Sequence, residues 1–292
     1  MQKKIENKTI KKKQGTLQQV FRRLIKNKAA MLGLIIFAIE VGMAVFAPLI
    51  IPYDYAKVSV SERYMNPCMA HIFGTDSMGR DLFSRIIYGT RYSLIIGLGA
   101  TALGTLGGMV IGSIAGYFGG KTDNLTMRFL DIIQAIPGML LTIVLAAVLG
   151  NGLGVTIIAL SVGIITGSAR LFRASILNIR TSEYIEAAQS INCSKLRIII
   201  SHIVPNALSP MIVSATMCMA DSIVSAAALS FLGLGVQSPT PEWGALLADG
   251  RGTMQLYPYL VIFPGIAIMI TVFSLNMLGD GLRDALDPKM KR

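Results

Sequence analysis

The side chains of this 292-residue chain that could do chemistry are two histidines, three cysteines and sixteen carboxylates, and their spacing excludes most catalysis. His71 and His202 stand in separate polar segments, so neither can join a serine or a metal at the depth of the apolar runs. Gly120-Lys121-Thr122 ends like a phosphate-binding loop, but the motif needs a glycine five residues earlier, where Ala115 stands. An apolar helical run, not a strand, precedes it. The segment Gly74-Thr75-Asp76-Ser77-Met78-Gly79-Arg80-Asp81 sets glycines among acids but lacks the alternating carboxylates of a cation loop. It reads as a compact, turn-rich loop tied by Asp–Arg pairs. Two carboxylates, Glu40 and Asp221, lie well inside apolar runs, with Asp131 near an edge. A charge in hydrocarbon costs roughly 2.5–3.5 kcal/mol on insertion scales, so each must face protein or water. Both are candidate cavity-lining groups; for Glu40 the other reading is a buried hydrogen bond to a neighbouring helix.

The elements that hold these residues are membrane helices. Of all residues, 53% are hydrophobic and only 15% charged, against about 25% charged in a soluble domain. Six runs, about 31–51, 92–117, 130–150, 153–176, 207–233 and 257–279, have the roughly 20 apolar residues a span requires. The first run is too long for a cleavable signal and lacks a small-residue cleavage site. Of the 27 Lys and Arg, 21 lie in 1–30, 118–128, 170–205 and 280–292, and 6 in the alternate loops 52–91 and 234–255. The positive-inside rule then puts both termini in the cytoplasm. The net charge of +11 is a topology signal, and no basic patch interleaved with aromatics points to nucleic acid. On this topology Cys68 is outside, Cys193 inside and Cys218 within a span, so neither an internal disulfide nor a cysteine metal site is expected.

The chain divides into a basic tail with an amphipathic helix (1–30), a first span with its outside loop (31–91), and a five-helix core (92–292) holding a cytoplasmic loop at 177–206. Leu17, Val20, Phe21, Leu24 and Ile25 share one helical face opposite Arg22, Arg23, Lys26 and Lys28, as in a helix lying on anionic lipid; the other reading is a simple continuation of the first span. Gly104, Gly108, Gly112 and Gly116 recur every fourth residue, which lets a second helix approach closely. Pro137-Gly138, Pro205, Pro210 and Pro264-Gly265 mark kinks that suit either a cavity that opens and closes or a static helix geometry. In the cytoplasmic loop, Glu183–Ile191 reads as a short helix capped by Thr181 or Ser182, and Asn192 suits the left-handed residue that ends it. A second helix runs from Ser194 to about His202, stopping before Pro205. Ala187 and Ala188 leave a small, flat surface for a partner's groove, and Glu183 and Glu186 can meet basic groups there. An ordinary solvated connector has the same composition.

The residues Glu186, Ala187, Ala188, Asn192 and Pro205 resemble the EAA loop of permease subunits in binding-protein-dependent ABC importers. That pattern is E-A-A, a glycine after three residues, then I-x-L-P; here Asn192 replaces the glycine, His202 the isoleucine and Val204 the leucine. Three more stretches are similar to the second-subunit type of the dipeptide, oligopeptide and nickel permeases. They are Gly74-Thr75-Asp76 to Gly79-Arg80-Asp81 with Ser84-Arg85; Ser230-Phe231-Leu232-Gly233-Leu234-Gly235 with Pro241-Glu242-Trp243-Gly244; and Leu278-Gly279-Asp280-Gly281-Leu282-Arg283-Asp284 with Asp287-Pro288. The resemblance implies an all-α, six-span, type I importer fold and a loop seated on an ATPase. It implies a second permease chain, two cytoplasmic ATPases that carry ATP and Mg, and an extracytoplasmic solute-binding protein. No cofactor is implied for this chain itself. An ion-coupled secondary transporter is the competing function; it would need more ionisable groups inside the spans than Glu40 and Asp221.

Overall fold

The computed structural model describes residues 22–286. The basic tail, the positions Leu17, Val20 and Phe21, and Asp287-Pro288 lie outside the described residues. Helical residues 22–26 come first; after them, among the described residues, stand α1 (Lys28–Ile50), α2 (Leu82–Phe118), α3 (Gly120–Gln134), α4 (Gly138–Leu149), α5 (Leu153–Arg180), α6 (Glu183–Ser190), α7 (Lys195–Ile198), α8 (Val204–Phe231), α9 (Trp243–Arg251) and α10 (Tyr259–Leu286). Five helical stretches are long and apolar enough to cross a membrane, and α3 with α4 make a sixth only as a bent pair.

Three boundaries differ from those the apolar runs predict. Helix α2 begins at Leu82, ten residues ahead of the predicted span. Asp81 caps it by accepting from Ser84 N, and its first turns bury Ser84, Arg85, Thr90 and Ser93, polar residues that a hydropathy window rejects. The predicted third span is instead two helices meeting at 83°. Pro137 cannot donate to the helix ladder and disfavours helical backbone at the residue before it, so the chain breaks at 135–137. The predicted stop before Pro205 is also absent. Helix α7 passes through a π-helical stretch, Ile199–Ile203, directly into α8, with Pro205 in the first turn of α8. A proline there forfeits few hydrogen bonds, because the wider turn has already interrupted the regular register.

Packing follows the glycines. Along α2, a Cβ on Gly104 would lie 2.5 Å from Ile164 Cβ, on Gly108 2.4 Å from Ser168 Cβ, on Gly112 2.5 Å from Ala169 O and on Gly116 3.0 Å from Ile176 Cβ. All four face α5, so the two backbones run in near contact. Helix α1 meets α10 the same way: Gly281 has room only for hydrogen against Ala30. The start of α1 sits beside the end of α10, where Asn27 Nδ2 donates to Asp284 Oδ2 at 3.4 Å and Arg23 Nη1 to Ala285 O at 3.5 Å. Leu24 is buried there, while Ile25 stays exposed.

Candidate coupling hairpin and translocation cleft

The hairpin is built on a small apolar core. Ile185 and Ala188 from α6, Ile198 from α7 and Ile203 pack on Phe172 and Ile176 of α5 and on Met211 of α8. Ser182 opens α6, with its backbone oxygen accepting from Ile185 N at 2.9 Å. Asn192 closes it at φ 57°, the left-handed conformation that Gly or Asn adopts after a helix. Cys193 N then donates back to Ala188 O at 3.1 Å. Glu183, Glu186 and Ala187 point outward, and Pro205 is exposed. Ala188 does not join them; it is 7% exposed and belongs to the inner face. The free surface contains residues the spacing argument missed: Tyr184, Ile191, Leu196 and Ile200, with Ile191 at 79% exposure. Tyr184, Ala187 and Ile191 fall at i, i+3 and i+7, an apolar stripe that was legible as such.

The membrane carboxylates separate. Glu40 is buried at 4% exposure, and its Oε1 accepts from Thr271 Oγ1 of α10 at 2.8 Å. Its Oε2 has no partner among the described residues, and it borders an apolar pocket of about 280 Å³ between α1, α2 and α10. Both readings of Glu40 therefore describe one site. Asp221 is exposed on α8 and lines a second, more polar cleft of about 430 Å³ between α4, α5 and α8, with Thr142, Gly163, Gly167, Ser214 and Cys218. Asp131 lies away from both and pairs with Arg170 at 2.6 Å.

The two motifs on the far side of the spans converge. Asp76 binds Arg80 Nε at 2.6 Å and also pairs with Arg85. Both arginines reach Asp249 of α9 at 3.4 Å, and Arg80 donates to Ser238 Oγ at 3.2 Å. Asp81 also accepts from His71 Nδ1 at 2.9 Å. Glu242 caps α9 through Gly244 N and Ala245 N, and Trp243 Nε1 donates to Ile86 O at 3.1 Å. The loop is therefore compact and tied by Asp–Arg pairs, and the ties extend to α9.

A family model described as the binding-protein-dependent transport system inner membrane component matches residues 108–292, which include the hairpin, the cleft and α9. The chain belongs to this family. A second model, the N-terminal transmembrane domain of oligopeptide transport permease C, matches residues 15–67. The permease is 46% identical to the dipeptide transport system permease protein DppC of Alkalihalophilus pseudofirmus, over 94% of this chain and 90% of that one. It is 40% identical to the oligopeptide transport system permease protein OppC of Bacillus subtilis, over 97% and 92%. It is 43% identical to the glutathione transport system permease protein GsiD of Escherichia coli, over 94% and 90%. Among solved structures, the inward-facing MetNI methionine ABC transporter aligns at TM-score 0.57 and 19% identity, over 70% of this chain and 98% of that one. An amino acid ABC transporter aligns at TM-score 0.51 and 14% identity, over 68% and 92%. The fold is that of the type I importers. The permease is a multi-pass inner-membrane subunit of a bacterial ABC importer, and the ion-coupled alternative is excluded by this membership. Permease subunits are not themselves catalytic.

Proposed function

We propose that this permease forms half of a peptide-translocating pore and that its α6–α7 hairpin transmits the work of a cytoplasmic ATPase to the pore. The observation that carries the reading is mechanical continuity. The hairpin tip connects through α7 and the π-helical stretch to α8, a single helical run from Lys195 to Phe231, and α8 carries Asp221 on the cleft wall. A push on Ala187 or Ile191 reaches that run through the turn at 191–194 and through the shared core of Ile185, Ala188, Ile198 and Met211. Two ATPase subunits bind ATP and Mg, a second permease of the same family completes the pore, and a solute-binding protein delivers cargo from outside. The 21-to-6 division of basic residues supports cytoplasmic termini and a cytoplasmic hairpin. The contact between Asn27 and Asp284 supports an even number of crossings, because it brings the first and last spans together at one end. The names of the relatives, which carry dipeptides, oligopeptides and glutathione, support a peptide as cargo.

The test uses the assembled transporter in membranes. Ala187→Trp enlarges the outward face of α6 and Glu186→Lys reverses an exposed charge, while neither touches the inner core. Both are expected to insert normally and to lose at least half of the co-purified ATPase and of the substrate-stimulated ATP hydrolysis. Full retention of both measures in both variants would show the hairpin to be a simple connector.

A further inference from the structure

We propose that Asp221 gives the translocation cleft a cation preference, so that the ammonium groups of a passing peptide, at its N-terminus or on lysine, are drawn through the pore by this one carboxylate. The peptide part of this statement rests on the function proposed above; the charge part does not.

Asp221 stands ten residues before Phe231 at the end of α8, about 15 Å along the helix at 1.5 Å per residue. A carboxylate at that depth cannot face lipid without cost, and it is exposed in this chain. Among the described residues no Lys, Arg or His pairs with it. Its surroundings are polar and uncharged: the cleft presents the hydroxyls of Thr142 and Ser214, the thiol of Cys218 and the bare backbone of Gly163 and Gly167. These two glycines differ from the row on α2. A Cβ added to either would meet nothing within 4 Å, so packing inside this chain does not explain their size. They leave this part of the cleft wall without side chains. The volume of about 430 Å³ falls in the range of roughly 300–1,000 Å³ typical of small-ligand sites. An unpaired anion in a water-filled, low-dielectric-walled cleft concentrates cations and repels anions. Hydroxyls can hydrogen-bond peptide groups without choosing among sequences. Asp221 is then the element of the wall that discriminates charge.

Cys218, one turn from Asp221 in the same cleft, is a native reporter. In the assembled transporter with Cys68→Ser and Cys193→Ser, Cys218 is modified with a cationic trimethylammonium-ethyl and an anionic sulfonatoethyl methanethiosulfonate. The ratio of the two rates cancels the thiol's own reactivity. One unit charge a turn away in a watery cleft changes this ratio by about tenfold. Asp221→Asn is therefore expected to lower the cation-to-anion ratio about tenfold, and Asp221→Glu to keep it. Ser225→Cys in a Cys218→Ser background repeats the measurement from the other side of Asp221. An unchanged ratio at both reporters, or no reaction at either, overturns the assignment; the first result would mean that the second permease neutralises Asp221. In vesicles with saturating loaded binding protein, Asp221→Asn should also reduce uptake of a lysine-containing tripeptide relative to its glutamate counterpart. If no peptide is carried by the parent transporter while the labelling ratio still responds, the peptide reading fails and the charge assignment stands. If peptides are carried with unaltered preference and an unaltered ratio, the charge assignment fails and the peptide reading stands.

Discussion

Asp76 is where a single atom group holds the most. Its carboxylate faces two arginines that are 3% and 0% exposed, and it accepts from Met78 N and Arg80 N as well. Asp76→Asn keeps the shape but leaves Arg80 and Arg85 with only the half-exposed Asp249 as counter-charge. Breaking a buried pair by removing one partner costs about 3–5 kcal/mol. The expected outcome is a clear fall in the thermal stability of the purified permease and in assembled yield; a melting curve equal to the parent's would mean that Asp249 alone neutralises both. The neighbouring case predicts the opposite. Asn192 already sits at φ 57°, so Asn192→Gly relieves strain without removing any hydrogen bond it makes, and import should stay within about twofold of the parent. A loss of import larger than that would assign the Asn192 side chain to the partner contact. Asn192 was legible in the sequence because few residue types adopt that backbone. The inward turn of Ala188 was not, since an eight-residue helix takes its inner face from Phe172 and Ile176, which arrive from another element.

At the scale of elements, the α2–α5 seam is where two long helices run in near contact. Gly108 faces Ser168 and Ala169, with its missing Cβ 2.4 Å from the Ser168 Cβ. Gly108→Leu forces the helices apart over more than the one residue, because neighbouring glycines share the seam. We expect severely reduced assembled complex by co-purification and little import; Gly107→Leu, which faces only the flexible side chain of Ile165, is the milder control. Equal yields from the two variants would remove the seam as the cause. The seam could be read from spacing alone, as a four-residue period identifies one helical face without knowing what it meets. The break between α3 and α4 could be read only as a kink. Proline reveals that a helix is interrupted, but the 83° turn depends on where α3 lies, and α3 exposes Leu125, Phe129 and Ile132 on one side. Hydropathy averaging set a single span at 130–150 and left Leu125 and Phe129 outside it. The same averaging hid the start of α2, whose polar first turns are buried by α9 and the loop before α2.

Across the whole molecule, the claim with the widest consequence is which end faces the cytoplasm. The loop before α2, with its Asp–Arg ties, and the α6–α7 hairpin lie at opposite ends of α2 and α5, because α2 leaves the loop at Leu82 and α5 enters the hairpin after Arg180. Orientation is thus a single binary choice for the entire fold. Two residues can report it with little disturbance. Cys68 is native and exposed in the loop before α2, and Ser190 is exposed at the end of α6, where its hydroxyl donates to the Glu186 carbonyl. A permease with Cys193→Ser and Cys218→Ser carries Cys68 alone; adding Cys68→Ser and Ser190→Cys moves the reporter to the hairpin. In intact cells an impermeant maleimide should modify Cys68, while the Ser190→Cys reporter should react only after the membrane is opened. Accessibility in the reverse order would invert the fold in the membrane. It would set the hairpin on the side of the solute-binding protein and end its assignment to an ATPase, however well the individual residues fit. Equal labelling of both from outside would point to a leaky preparation, which a soluble cytoplasmic thiol protein assayed in the same cells identifies. The basic residues argue for the expected order through their distribution over four separate segments, so no one substitution should reverse it.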